Sequence, residues 1–237
     1  MEKLLYTGKA KQMWSTDNPQ ILRVVYLNQA TALNGKKKDK IEGKAVLNNA
    51  ISTLIFQYLN QVGIPTHYLE QISPTEELVK KVEIIPLEMV TRNIAAGHFA
   101  SRYGVKEGRA FDQPVEEMYY KSDKLDDPFM NASQAKALGL VTQEELDVMW
   151  NLSRQVNFIL KRLFAKAKLT LVDFKLEFGR LADGQIVLAD EFSPDNCRLW
   201  DMETANHMDK DVYRRDLGDL VSVYQEVYRR LQTVLEK

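Results

Sequence analysis

The 237-residue sequence predicts an α+β fold, with a β-rich first part (residues 1–86) and a mixed second part (residues 87–237). Three observations predict it. Near the N-terminus, β-branched and aromatic residues alternate with polar ones between short turns, as half-buried strands require. From Ala45 to Gln61 the apolar spacing changes to a helical period. In the second half, two long helical stripes enclose a pair of strand patterns.

The elements follow in order. "KLLYTGKAKQMWS" and "ILRVVYL" read as strand, glycine turn, strand, a turn at "TDNPQ", strand. Val46, Leu47, Ala50, Leu54, Ile55, Tyr58 and Leu59 form a helical stripe that Gly63 and Pro65 end. "THYLEQI", "ELVKKVEII" and "LEMVTRN" are strand patterns, and Pro86 marks the boundary between the two parts. Thr142 with Glu145 is a capping box. The stripe behind it runs through Leu146, Met149, Trp150, Val156, Ile159, Leu160, Leu163 and Phe164, and the last one from Leu217 to Leu235. Both read as core faces. Between them, "LVDFKLEFG" (171–179) sorts Val172, Phe174, Leu176 and Phe178 from Asp173, Lys175 and Glu177. "LADGQIVLADEF" adds an Asp183-Gly184 turn and a strand ending in Asp190 and Glu191.

Bulk composition narrows the function. The 33 acidic and 32 basic residues leave a net charge of −1, so no overall field draws the chain to nucleic acid or an anionic membrane. A single cysteine, Cys197, excludes an internal disulfide framework and a cysteine zinc site. His67, His98 and His207 lack metal-ligand spacing. The N-terminal apolar run is too short for a signal peptide, and no stretch approaches the ~20 apolar residues that span a bilayer. The expected location is cytoplasmic.

Several local groups could carry chemistry. If the strand pair closes through its Asp-Gly turn, Asp190 comes near Asp173, Lys175 and Glu177. Clustered carboxylates suit Mg²⁺, which takes one or two and completes its shell with water and phosphate. A solvated face with cross-strand ion pairs fits the hairpin alone equally well. "TGKAK" (Gly8 to Lys11) can lay backbone N–H groups and ammonium groups over phosphates. Arg198 in "SPDNCRLWD", behind Asp195, suits bidentate capture of phosphate or carboxylate. Arg92, His98 and Arg102 surround a small-residue turn, Lys121 and Asp127 sit before Pro128, and Lys210, Asp211 and Arg214 open the last helix, with Asp209 or Asp211 as its cap. Lys36, Lys37 and Lys38 read as a solvated loop. Phosphate-binding lysines, metal-binding carboxylates and separate arginines together fit ATP-dependent chemistry on a small anionic metabolite.

These residues match a known pattern. "DFKLEFG", "DEFSPDNCRLWD" and "MDKDVYRR" resemble the signatures of the SAICAR synthetase family, and "YTGKAK", "GKAVLNN", "IIPLEMVTRN" and "KSDKLDDPFMN" follow the same order as its blocks. The resemblance runs from about residue 4 to the C-terminus. It implies a two-lobe fold with ATP in the cleft, and an ATP- and Mg²⁺-dependent ligase of purine synthesis that joins L-aspartate to CAIR, a carboxylated aminoimidazole ribonucleotide. It also implies a homodimer. Carried over, Gly8, Lys9, Ala10 and Lys11 cover the ATP phosphates, Lys81 and Ile84 border the adenine, and Lys121 touches the nucleotide. Glu177 and Asp190 bind Mg²⁺ with Asp127 nearby. Asp173 and Lys175 face CAIR, and with Lys11 they form the catalytic set. Arg92, His98, Asp195, Arg198, Lys210 and Arg214 bind substrate. The chain departs from the family at His98, where serine is usual, and at Ala45, where glycine is usual. The alternatives are a small-molecule phosphotransferase and a non-catalytic nucleotide sensor.

Overall fold

The computed structural model describes residues 2–32 and 37–236, so Lys36 lies outside the described residues. Strands β1 (Leu4–Thr7), β2 (Lys11–Ser15) and β3 (Ile21–Tyr26) form an antiparallel meander. Its first turn is held by the Gly8 N–H, which donates to the Lys11 carbonyl at 2.8 Å. A small hairpin follows, β4 (Gln29–Ala32) with β5 (Lys37–Lys40). Lys37 and Lys38 therefore lie in a strand, not a loop. The Lys37 ammonium donates to the Tyr213 carbonyl at 2.8 Å and Asp216 at 2.6 Å, a tertiary pairing that local sequence does not reveal.

Helix α1 (Lys44–Gln61) ends at Gly63, whose φ of +90° favours glycine. Its buried set includes Leu47, Ile51, Ile55, Phe56 and Leu59, but also Lys44, Asn48, Asn49, Ser52 and Thr53. Val46, expected in the stripe, is exposed. The helix is covered on two sides, so a single-stripe reading underestimates its burial: α1 packs on the C-terminal helix and also meets β3. Strands β6 (Tyr68–Ser73) and β7 (Glu76–Lys80) complete a five-stranded sheet of order β1-β2-β3-β7-β6.

The second sheet begins at β8 (Glu83–Ile94), which runs through Pro86, so the boundary expected there falls inside a strand. Proline is tolerated because the ladder to the partner strand slips at this point: Glu88 faces Glu177, whereas Ile84 faces Gly179. The Pro86 carbonyl still accepts the Lys121 N–H at 3.0 Å. Helix α2 (Gly97–Tyr103), strand β9 (Ala110–Tyr120), a 3-10 turn (Asp123–Leu125) and helix α3 (Ala132–Ala137) follow. Helix α4 (Gln143–Lys166) starts with both capping-box bonds in place, Thr142 to the Glu145 N–H and Glu145 to the Thr142 N–H. Strands β10 (Leu169–Arg180), β11 (Ile186–Ala189) and β12 (Cys197–Asp201) fill the sheet in the order β11-β10-β8-β9, with β12 also on β10.

The chain ends with two helices, α5 (Asp211–Arg214) and α6 (Leu220–Leu235). The "MDKDVYRR" motif thus forms its own short turn. The last helix is capped by Asp219, which accepts the Val221 and Ser222 N–H groups, and Leu217 lies outside it and is exposed. The apolar face of β10 (Phe174, Leu176, Phe178) joins Phe164 of α4, Phe192 and Tyr224 in one continuous core.

Candidate functional site

The other face of β10 is neither solvated nor simply surface. Asp173 and Glu177 are each 3 % exposed; β8 flanks both, with β12 on the other side of Asp173 and β11 on the other side of Glu177. The register sets Asp173 opposite both Arg92 and Arg198, and Glu177 opposite Glu88. Asp173 Oδ2 accepts from Arg92 Nη1 at 2.7 Å and Arg198 Nη1 at 2.9 Å. Arg92 also binds Glu117 at 2.6 Å. Arg198 reaches Asp211 at 3.0 Å, and Asp211 in turn accepts from Arg214 at 2.6 Å. This end of the site is a chain of guanidinium and carboxylate groups.

The other end is built from lysines. Lys121 Nζ lies 2.6 Å from both Glu177 oxygens, and Lys175 Nζ lies 2.7 Å from Glu88 and 2.8 Å from Glu177. Lys11 crosses from β2 to pair with Asp190 and approaches Glu191 at 3.5 Å. Its ammonium lies 5.5 Å from the Tyr26 ring centre. Asp190 adopts a left-handed φ of +64° as the chain leaves β11. Lys9 pairs with Asp123 at 2.7 Å on the exposed rim.

These groups line one cavity of about 1170 Å³ between the two sheets. Its walls include Gly8, Lys9, Ala10, Lys11, Ile84, Arg92, His98, Lys121, Asp127, Asp173, Lys175, Glu177, Asp190, Asp195, Arg198, Lys210 and Arg214. Of the residues predicted for the site, Lys81 alone is elsewhere. It is exposed, its backbone N–H bonds the Gln20 carbonyl at 2.7 Å, and Lys80 and Val82 line the cavity in its place. Lys81 and Val82 form the two-residue link between β7 and β8, outside either strand, and the link turns Val82 and not Lys81 to the cavity. The sequence reading also leaves out Lys44, Glu88 and Glu117. Glu88 and Arg92 share a strand face, so alternation through "LEMVTRN" carried the signal for Glu88.

Electrostatics sharpen the picture. Burial works against the charged forms of Lys11 and Lys175, but the carboxylates around them raise both pKa values above the ordinary lysine value. Asp190 is held well below the usual carboxylate range: burial opposes this, and Lys11, Lys175 and Lys121 outweigh it. Glu191 is pushed up by burial. Partial burial, with Arg198, Arg102, Arg92 and Arg214 close by, lowers the His98 pKa and so favours its neutral form.

A divalent cation fits the lysine end by donor chemistry. Buried Glu177 and partly buried Asp190 supply two carboxylates of the kind Mg²⁺ takes, with room for phosphate oxygens in the cavity. Asp127 does not converge with them: its Oδ1 accepts the Ser122 N–H at 2.8 Å. Among the described residues, the one compact trio of metal-type donors is His207, Asp209 and Asp211. Asp209 there accepts the Asp211 and Leu199 N–H groups, and Asp211 is taken by arginines.

The family model for SAICAR synthetase matches residues 4–231. The chain is 60% identical, over its whole length and 99% of the relative's, to a phosphoribosylaminoimidazole-succinocarboxamide synthase of Limosilactobacillus fermentum. It is 57% identical to the synthase of Streptococcus agalactiae, covering 97% of each chain. The crystal structure of the Ehrlichia chaffeensis synthase superposes with a TM-score of 0.95 at 42% identity, covering 97% of this chain and 98% of that one. A SAICAR synthetase in complex with ADP gives 0.93 at 42% identity, covering 96% and 97%. The chain belongs to the SAICAR synthetase family, the ATP-dependent ligases of purine biosynthesis.

Proposed function

We propose that this protein joins L-aspartate to the carboxylate of CAIR at the cost of ATP, giving SAICAR, ADP and phosphate. The observation that carries the reading is the single cavity with a lysine–carboxylate end and an arginine–carboxylate end. The first suits nucleotide phosphates and Mg²⁺, the second an anionic ribonucleotide. The relative bound to ADP supports nucleotide use at the first. The two sheets act as lobes, with ATP in the cleft between them.

A carboxylate is a poor electrophile, so the reaction runs through an acyl phosphate. A CAIR carboxylate oxygen takes the γ-phosphoryl group and ADP leaves. The aspartate amine then attacks the acyl carbon, phosphate departs with the C–O bond, and the nitrogen gives up a proton. Lys11, Lys9 and the Gly8 turn hold the phosphates, while Lys121 and Lys175 neutralise charge as it moves onto the transferring group. Arg92, Arg198 and His98 orient CAIR, with Asp173 fixing both guanidinium groups. When bound, Mg²⁺ at Glu177 and Asp190 would neutralise phosphate charge. We place the enzyme in the cytoplasm as a homodimer. In support, no helix of the described residues is long and apolar enough to cross a membrane, and symmetric dimers are the commonest assembly.

The test mixes protein, ATP, Mg²⁺, CAIR and aspartate. We expect ADP release that needs both CAIR and aspartate, and an amide product by mass spectrometry. Phosphorylated substrate without amide would favour the phosphotransferase, and ATP binding without turnover the sensor.

A further inference from the structure

Lys44 opens α1 and is 1 % exposed, with its ammonium 2.7 Å from Asp195 Oδ2. The same oxygen accepts from Lys210 at 3.2 Å, and Oδ1 accepts the Tyr224 hydroxyl at 2.7 Å. One buried carboxylate is therefore shared by two ammonium groups and a hydroxyl, leaving little of it for a substrate. Of the two lysines, Lys210 is the more loosely held, and it lines the cavity with Arg214, whereas Lys44 does not. The neighbouring carboxylate, Glu191, has Lys11 at 3.5 Å.

We propose that Lys44 is a positioning residue. By occupying Asp195 from the buried side, it keeps the Lys210 ammonium from closing onto that carboxylate, and so holds Lys210 available to an anionic group of a substrate. A lone Lys210 would form a tight charge-assisted pair with Asp195, because a buried carboxylate draws the nearest cation to it. Lys44 touches no substrate and acts through Asp195, which on this proposal only anchors Lys210 and, with both oxygens already taken, does not itself bind substrate as the family resemblance implies. The inference rests on the ligase reading for the anion's source, a phosphate or carboxylate of CAIR or of aspartate.

Lys44→Met tests it. Asp195 keeps Lys210 and Tyr224 as partners in this variant, so no buried carboxylate is stranded. We expect the KM for one of the two anionic substrates to rise about tenfold, with kcat within about twofold and the KM for ATP unchanged. The double variant Lys44→Met with Asp195→Asn removes both buried charges and frees Lys210. It should bring that KM back to within about threefold of wild type, and it keeps the test open if the single variant folds poorly. A lower melting temperature with both KM values unmoved would mean that Lys44 is structural only, and would overturn the proposal. Equal losses for all three substrates, or no recovery in the double variant, would overturn it too. If wild type itself shows no turnover that needs both substrates, the ligase reading fails separately. Calorimetric titration of CAIR and of aspartate into wild type and Lys44→Met then decides: weaker binding of either in the variant supports the proposal, and unchanged binding of both overturns it.

Discussion

Replacing Gly97 with alanine separates backbone strain from a specific clash. Gly97 has a φ of +52°, and a Cβ there would lie 2.3 Å from Arg198 Nη2 and 2.7 Å from its Cζ. The left-handed backbone alone costs an L-residue about 1–2 kcal/mol. The guanidinium must also move, which breaks its bonds to Asp173 at 2.9 Å and Asp211 at 3.0 Å. Each such bond contributes about 1.5–3 kcal/mol, and water reaching the partly exposed guanidinium recovers part of that. We therefore expect destabilisation of about 3–5 kcal/mol in urea melts. Losing one arginine contact should raise the KM for CAIR by about 10–100-fold, at 1.4 kcal/mol per tenfold. Gly104→Ala is the control. Its φ is +62°, but nothing lies within 4 Å of the added Cβ, so it should show the strain cost and no change in KM. If Gly97→Ala binds CAIR like wild type, Arg198 is not the CAIR clamp and the substrate assignment is wrong.

Three further outcomes follow from the same geometry. Glu177→Gln or Asp190→Asn should abolish turnover while circular dichroism stays native, and wild-type activity in both would remove the metal assignment. Glu77 is raised to about 8, chiefly by burial, with Lys11 and the Tyr26 hydroxyl opposing. A raised carboxyl contributes stability that is full below about 4.5 and is lost as pH rises through about 8. Glu77→Gln should therefore gain stability over wild type between pH 6 and pH 9 in urea melts, and parallel curves would contradict the shift. Thr142→Ala removes one capping-box bond of α4 and should cost about 0.5–2 kcal/mol in thermal melts with kinetics unchanged.

Elements whose pattern is local were legible in the sequence. The alternation of "LVDFKLEFG" placed Asp173, Lys175 and Glu177 together on one face, and the capping box located the start of α4. What that face met was not local. Asp173 meets Arg92, 81 residues earlier, and Lys44 meets Asp195, 151 residues later. At the start of a helix a lysine reads as solvated, and only the packing of α1 between layers makes it a buried ion-pair partner. Pro86 misled for the opposite reason. A strand breaker by propensity, it was accommodated by a slip in register that no residue type announces. Lys81 sits in the short link between β7 and β8, where no strand period sets the direction of a side chain.

The pairing of β8 with β10 has one more consequence. Glu88 and Arg92 are four residues apart on one strand, and Glu177 and Asp173 are their partners on the other. At about 3.3 Å per residue, the lysine end and the arginine end stand about 13 Å apart. That spacing is a ruler cut into the backbone, and β9 on the far side of β8 keeps the ruler from sliding. Rotamer changes can adjust what each end grips, but not how far apart the two grips are. A one-residue insertion between the marks would not lengthen the ruler slightly. It would turn half the charged groups into the core and half the core towards the cavity, so the reach between nucleotide and metabolite is a step quantity and not a tunable one.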